Sequence, residues 1–184
     1  MPHAEHTVTV NRPPREIFDY LADGTHNRAW RTGVLEIERT SPADGEGATY
    51  RQVLAGPGGR RIDGDYRVTV FDPPRQLGFH VTAGPARPAG VFELTENPDH
   101  STRVRFALDL QPAGLMKLMT PMITRQMRNE VAQLDNLKTI LKARPDRRQG
   151  DAFATAVRRT RRRSRRRTAR RSGRGGLGAT GGPG

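Results

Sequence analysis

Tyr50, Gln52 and Tyr66 are the polar side chains whose type and placement suit chemistry, because each falls on the otherwise apolar side of its segment. A phenol or amide on a buried face needs a hydrogen-bond partner, and a ligand carbonyl or hydroxyl would supply one. The acid–base inventory around them is thin. A base for C–H abstraction must lie within hydrogen-bond reach of its substrate, and the resulting enolate needs a donor. Strand parity turns Asp63, Asp65, Arg67, His80, Glu93, Arg103, Arg105 and Asp109 to the opposite face. His6 has inward parity, but it begins an edge strand where solvent reaches it. His3, His26 and His100 fall in loops or at the terminus, without metal-ligand spacing. Cysteine is absent, which removes disulfides, zinc thiolates and a thiol nucleophile. Gly56-Pro-Gly-Gly59 has neither the lysine nor the following helix of a phosphate loop. No metal and no cofactor is expected. Binding is favoured over acid–base catalysis, with Tyr50 and Tyr66 as the only candidates for proton transfer.

The elements that position these groups follow from periodicity. His6–Val10 alternates as a first strand, and Pro14 suits the first residue of a short helix bearing Ile17, Phe18 and Leu21. Asp23-Gly24 ends that helix, and a second helical turn runs to Trp30. Strands follow at Val34–Glu38, 47–55, 60–71, 77–83, 91–96 and 102–110, separated by turn residues. Each hairpin fixes cross-strand neighbours. Folding at Gly58 pairs Leu54 with Ile62, Gln52 with Gly64 and Tyr50 with Tyr66, with Arg51 facing Asp65 on the other side. Folding at Pro73-Pro74 pairs Val70 with Leu77, Val68 with Phe79 and Tyr66 with Val81. Folding at Asp99 pairs Leu94 with Val104, Phe92 with Phe106 and Glu93 with Arg105. The three turns agree on one apolar, aromatic inner face.

Residues 113–142 carry apolar side chains at helical spacing: Leu115, Met119, Ile123, Met127, Val131, Leu134, Leu137 and Leu141. Thirty residues of helix would make a rod of about 45 Å. Met116, Met119, Met122 and Met127 line its early half, where adaptable thioethers suit a cavity wall. Pro121 should kink that half or mark a separate turn before the main helix. The class is α+β: a curved antiparallel sheet of about seven strands closed over a long C-terminal helix.

The run Pro14-x-x-Ile17-Phe18-x-x-Leu21-x-Asp23 followed by Trp30 resembles the N-terminal signature of the helix-grip superfamily, and of its polyketide cyclase/dehydrase (SRPBCC, START-like) branch in particular. Gly47 opening a strand, Asp72-Pro-Pro-Arg75, Ser101-Thr-Arg-Val104 and the terminal helix extend the likeness over residues 4–143. The resemblance implies a cavity between sheet and helix for a lipid, polyketide or similar molecule. It holds both binders and enzymes, so a cyclase, aromatase or dehydratase is the alternative. The ligand wall expected from register and resemblance is Tyr50, Gln52, Tyr66, Val68, Phe79, Phe92, Phe106, Met119, Ile123 and Met127, with Trp30 as a packing anchor.

Of the chain's net charge of +13, residues 145–184 hold +11, leaving +2 on residues 1–144. The sequence therefore divides into a near-neutral domain, 1–144, and a disordered Arg/Gly-rich tail, 145–184. Arg158, Arg159, Arg161, Arg162, Arg163, Arg165, Arg166, Arg167, Arg170 and Arg171 would contact nucleic acid or an anionic membrane nonspecifically and in a salt-dependent way. No aromatic residue interleaves these arginines to stack on bases. No signal core and no long apolar run appears, so a cytoplasmic monomer or homodimer is expected.

Overall fold

The computed structural model describes residues 1–42, 44–112 and 114–144. The arginine-rich tail lies outside the described residues. The elements are β1 (His3–Val10), α1 (Pro14–Ala22), a 3₁₀ turn (Gly24–His26), α2 (Asn27–Trp30), β2 (Val34–Arg39), β3 (Thr49–Ala55), β4 (Arg61–Asp63) and β5 (Tyr66–Asp72). They continue with β6 (Gln76–Val81), β7 (Ala89–Glu96), β8 (Thr102–Asp109), a 3₁₀ segment (Gly114–Met119), α3 (Thr120–Ala132) and α4 (Leu134–Ala143). The strands form one antiparallel sheet in the order β1-β8-β7-β6-β5-β3-β2, with β4 paired to β3. This is the helix-grip arrangement, a curled sheet closed by the C-terminal helices.

Local chemistry explains the entry into α1. Pro14 occupies the first turn, where its missing N–H would have had no partner, and Pro13 precedes it in extended conformation. Ile17, Phe18 and Leu21 then point one way into the core. The register around Gly58 and Asp99 is as the turns dictate: Leu54 opposes Ile62, Tyr50 opposes Tyr66, Phe92 opposes Phe106 and Glu93 opposes Arg105.

Three expectations need correction. First, residues 60–71 do not form one strand. The chain breaks at Gly64-Asp65, because the Asp65 carboxylate accepts the Gln52 backbone N–H at 3.0 Å and Gly64 N–H donates to the Gln52 carbonyl. With Asp65 so engaged, Arg51 takes Glu38 of β2 as its ionic neighbour at 3.6 Å. Second, a bulge between Val68 and Val70 shifts the later half of β5: Val70 opposes Gly78, and Phe71 opposes Leu77. Gly78 has no side chain, so Val70 lies over it and partly outward. Phe71 turns inward to meet Phe18 edge-on at 5.2 Å between ring centres.

Third, the 30-residue rod is interrupted twice. Gly114–Met119 is 3₁₀, and α3 begins at Thr120 with Pro121 in its first turn. A 3₁₀ segment has three residues per turn, so the 3.6-residue stripe loses phase across it. Met127, Val131, Leu134, Leu137 and Leu141 are buried and Ile123 is partly buried, but Met119 and Met122 face solvent. The side chains of Leu115 and Met116 lie outside the described parts. The second break is at Gln133, which keeps helical backbone angles but whose N–H turns to the Glu130 carbonyl at 3.2 Å, while its side chain accepts from Thr32. No described helix is long and apolar enough to cross a membrane.

Candidate ligand site

The register places Tyr50 and Tyr66 side by side on the inner face, with rings stacked at 4.9 Å and 12°. Both are almost wholly buried. Val68, Phe79 and Phe92 continue the wall along β5, β6 and β7, with Leu77 beside them. Opposite stand Leu21 and Ala22 at the end of α1, and Asn27 and Arg31 of the α2 segment. Together these residues enclose a cavity of about 20 Å³. That is room for a single water.

Polar groups gather at one end of this cavity. The Tyr50 hydroxyl donates to the Ala22 carbonyl at 3.2 Å. Asn27 Nδ2 donates to the Tyr66 hydroxyl oxygen at 3.4 Å, and no described group accepts the Tyr66 proton. Burial, reinforced by Tyr50, raises the Tyr66 phenol well above the ordinary tyrosine value, so it is a neutral donor. Gly24 is what lets the pair sit here, since a Cβ at that position would lie 1.9 Å from the Tyr66 oxygen and 2.8 Å from Tyr50 Cε1.

Arg31 brings the one cation to the cavity wall among the described residues. Its Nε donates to Glu130 Oε1 of α3 at 2.5 Å, and its guanidinium lies 5.9 Å from the Trp30 ring centre. The terminal nitrogens Nη1 and Nη2 have no hydrogen-bond partner among the described residues. Further bonds fasten this segment to the α3–α4 junction. Thr32 N–H donates to Gln133 Oε1, and Asn136 Nδ2 donates to the Trp30 carbonyl at 3.0 Å. Trp30 is buried with its ring edge-on to Phe92 and Phe106, which makes it the packing anchor expected from its place after α1.

Tyr50, Tyr66, Val68, Phe79 and Phe92 thus meet at one cavity. Phe106 stands behind that wall, stacked on Phe92 at 4.2 Å. Gln52 is buried beside it. Its Nε2 donates to the Gly64 carbonyl at 3.3 Å, and its Oε1 has no partner among the described residues. Met127 and Ile123 pack in the core on α3, away from the cavity, and half-exposed Met119 does not approach it. The cavity lies under α1 and α2 rather than against the terminal helix.

Asn27 and Arg31 were not anticipated from the sequence. A spacing of four puts both on one side of a helical turn next to Trp30, but four helical residues carry too little pattern to tell which side faces inward. The histidines engage elsewhere: His6 with Asp135, His3 with Asp109, His100 with Glu96, and His26 with the Tyr20 carbonyl and ring. Among the described residues no group of three or more His, Cys, Asp or Glu side chains is placed to hold a metal.

Residues 1–142 match the family described as "Polyketide cyclase / dehydrase and lipid transport". The chain belongs to that family. No curated protein matches it. Among solved structures, a protein from Thermus thermophilus, TTHA0849, is similar with a TM-score of 0.66 and 16% identity, over 77% of this chain and 98% of that one. A START superfamily protein from Mycobacterium smegmatis gives 0.62 and 14%, covering 76% of this chain and 97% of its own. The Zhui aromatase/cyclase from Streptomyces sp. R1128 gives 0.60 and 22%, covering 76% and 93%. At these identities the likeness is one of fold.

Proposed function

We infer that this family member binds a neutral, largely hydrophobic molecule carrying a hydrogen-bond acceptor at one end. The observation that supports this most is the pair of donors at the cavity, the Tyr66 hydroxyl and the Arg31 terminal nitrogens, whose hydrogens meet no described acceptor. The Tyr66 hydroxyl is buried, and a buried donor without an acceptor is uncommon and costly. A ligand carbonyl oxygen satisfies both, while the aromatic wall takes the ligand's apolar body. Charge decides between neutral and anionic ligands. Glu130 already neutralises Arg31, so a carboxylate entering here would add an uncompensated negative charge to a dry site.

A pocket for such a ligand ordinarily holds about 300–1,000 Å³. The present cavity is far smaller, so the ligand enters only when the wall moves. On this reading the part that moves is the segment around α2, which Arg31, Thr32 and the Trp30 carbonyl hold to α3 and α4. The same donors would also stabilise an enolate oxygen, which keeps a cyclase or dehydratase as the second reading. On that reading Tyr66→Phe loses turnover while binding persists.

The test offers purified protein equal amounts of a naphthyl ketone and a naphthalenesulfonate of similar size, read by native mass spectrometry. A one-to-one ketone complex is expected. Preference for the sulfonate would overturn the charge reasoning, and failure to take up either would overturn ligand binding.

A further inference from the structure

We propose that the start of the C-terminal helical region is a docking surface for an anionic lipid bilayer, independent of the cavity. Five large apolar side chains are exposed among the described residues, and three of them, Leu118 (78%), Met119 (49%) and Met122 (55%), lie within five positions. They straddle the junction of the 3₁₀ segment and α3, close together in sequence and all turned to solvent. Scattered single apolar side chains are ordinary on a surface, but a contiguous cluster marks an interaction site.

Charge identifies the occupant. Lys117, Arg125 and Arg128, within six positions of Met122 in sequence, are exposed and have no ionic partner among the described residues. From Leu110 to Asn129 the sequence contains no Asp or Glu. Some exposed arginines elsewhere are ion-paired, as Arg105 with Glu93 and Glu5, Arg61 with Glu36, and Arg75 with Asp72, so what sets this stretch apart is the lack of carboxylates beside its cations. Exposed apolar side chains with cations and no carboxylate near them in sequence are the chemistry of a segment that sinks shallowly among anionic headgroups. Leucine and methionine are flexible enough to insert between acyl chains, and the cations stay at headgroup level.

The experiment places a reporter on this cluster in the full chain. In Leu118→Trp, the native Trp30 contributes a constant, buried emission, so any change reads position 118. With vesicles of phosphatidylcholine plus phosphatidylglycerol, the emission is expected to shift to shorter wavelength; with phosphatidylcholine alone it should not. In about 1 M salt, where the Debye length is about 3 Å, contributions of distant arginines are screened. There the doubly substituted Leu118→Asp/Met122→Asp protein should co-sediment with the anionic vesicles at least about tenfold less than the parent, from the lost apolar burial.

Co-sedimentation without a shift of the new tryptophan would overturn the proposal and assign the contact to the arginine-rich residues 158–171. An equal shift on neutral vesicles would overturn the anionic commitment. A shift that grows with protein concentration and needs no vesicles would make this face a contact between two copies instead.

Discussion

Glu130→Leu is the sharpest probe of the Arg31 arrangement. The two side chains of this ion pair are 10% and 19% exposed, so removing the carboxylate leaves a guanidinium in a largely dry place. Breaking a fully buried pair costs about 3–5 kcal/mol. Partial exposure of Glu130 lowers that to about 2 kcal/mol, since water reaches the vacated side. For a domain of this size such a loss moves Tm by about 6 °C. Arg31→Met should cost a similar amount by orphaning Glu130. The double variant Arg31→Met/Glu130→Leu should recover most of it, because nothing charged is left behind. Urea unfolding followed by the emission of the single tryptophan, Trp30, measures all four proteins at the right place, as Arg31 lies against its ring. Coupling of about 1.5 kcal/mol or more is expected. Single variants within about 0.5 kcal/mol of the parent, or additive losses, would refute the claim that this pair tethers α2 to α3.

Other consequences follow from the same geometry. Gly24→Ala should destabilise by about 1–3 kcal/mol through its clash with the stacked tyrosines, and adding Tyr66→Phe should recover part of the loss, as measured by thermal unfolding. The buried Tyr66 phenol is raised in the folded state, so its contribution to stability is full below about pH 10 and is lost as pH rises toward the folded value. Alkaline unfolding should therefore be steeper for the parent than for Tyr66→Phe, by about 1.4 kcal/mol per pH unit above that point; equal slopes would contradict it. Glu130→Gln frees one positive charge at the cavity, so the preference between the naphthyl ketone and the naphthalenesulfonate should move toward the sulfonate in the competition above. Deleting residues 145–184 should abolish binding to a mixed-sequence oligonucleotide, and that binding should fall steeply with salt in the full chain; binding by residues 1–144 would contradict the assignment.

Much of this fold was legible because hairpin register is a strong constraint. With turns at Gly58 and Asp99, the neighbours of Tyr50, Phe92 and Glu93 follow from counting alone, and those pairs are present. Counting failed where a local interaction overrode alternation. Asp65 gave its carboxylate to a backbone N–H, and Gly78 left a gap that allowed the bulge turning Phe71 inward. Periodicity also overextended the terminal helix. It registered that Leu115 through Leu141 repeat at helical spacing and that Pro121 could mark a separate turn before the main helix, but not the second break at Gln133. The tyrosine half of the cavity came from strand parity. The Asn27–Arg31 half was missed because a four-residue helix carries too little pattern to orient its side chains, and Arg31 meets Glu130 across 99 positions of sequence.

The most direct measurement is a titration of Trp30 emission with a neutral, environment-sensitive naphthyl ketone that accepts energy from tryptophan. Trp30 lies 5.9 Å from the Arg31 guanidinium and 6.2 Å from the Phe92 ring, both on the cavity wall, so a ligand beside Tyr66 is within energy-transfer reach of it. Saturable quenching at one ketone per chain, weakened in Tyr66→Phe, is the expected result. A linear, unsaturable change, identical in the two proteins, would mean that the closed interior never opens to a ligand.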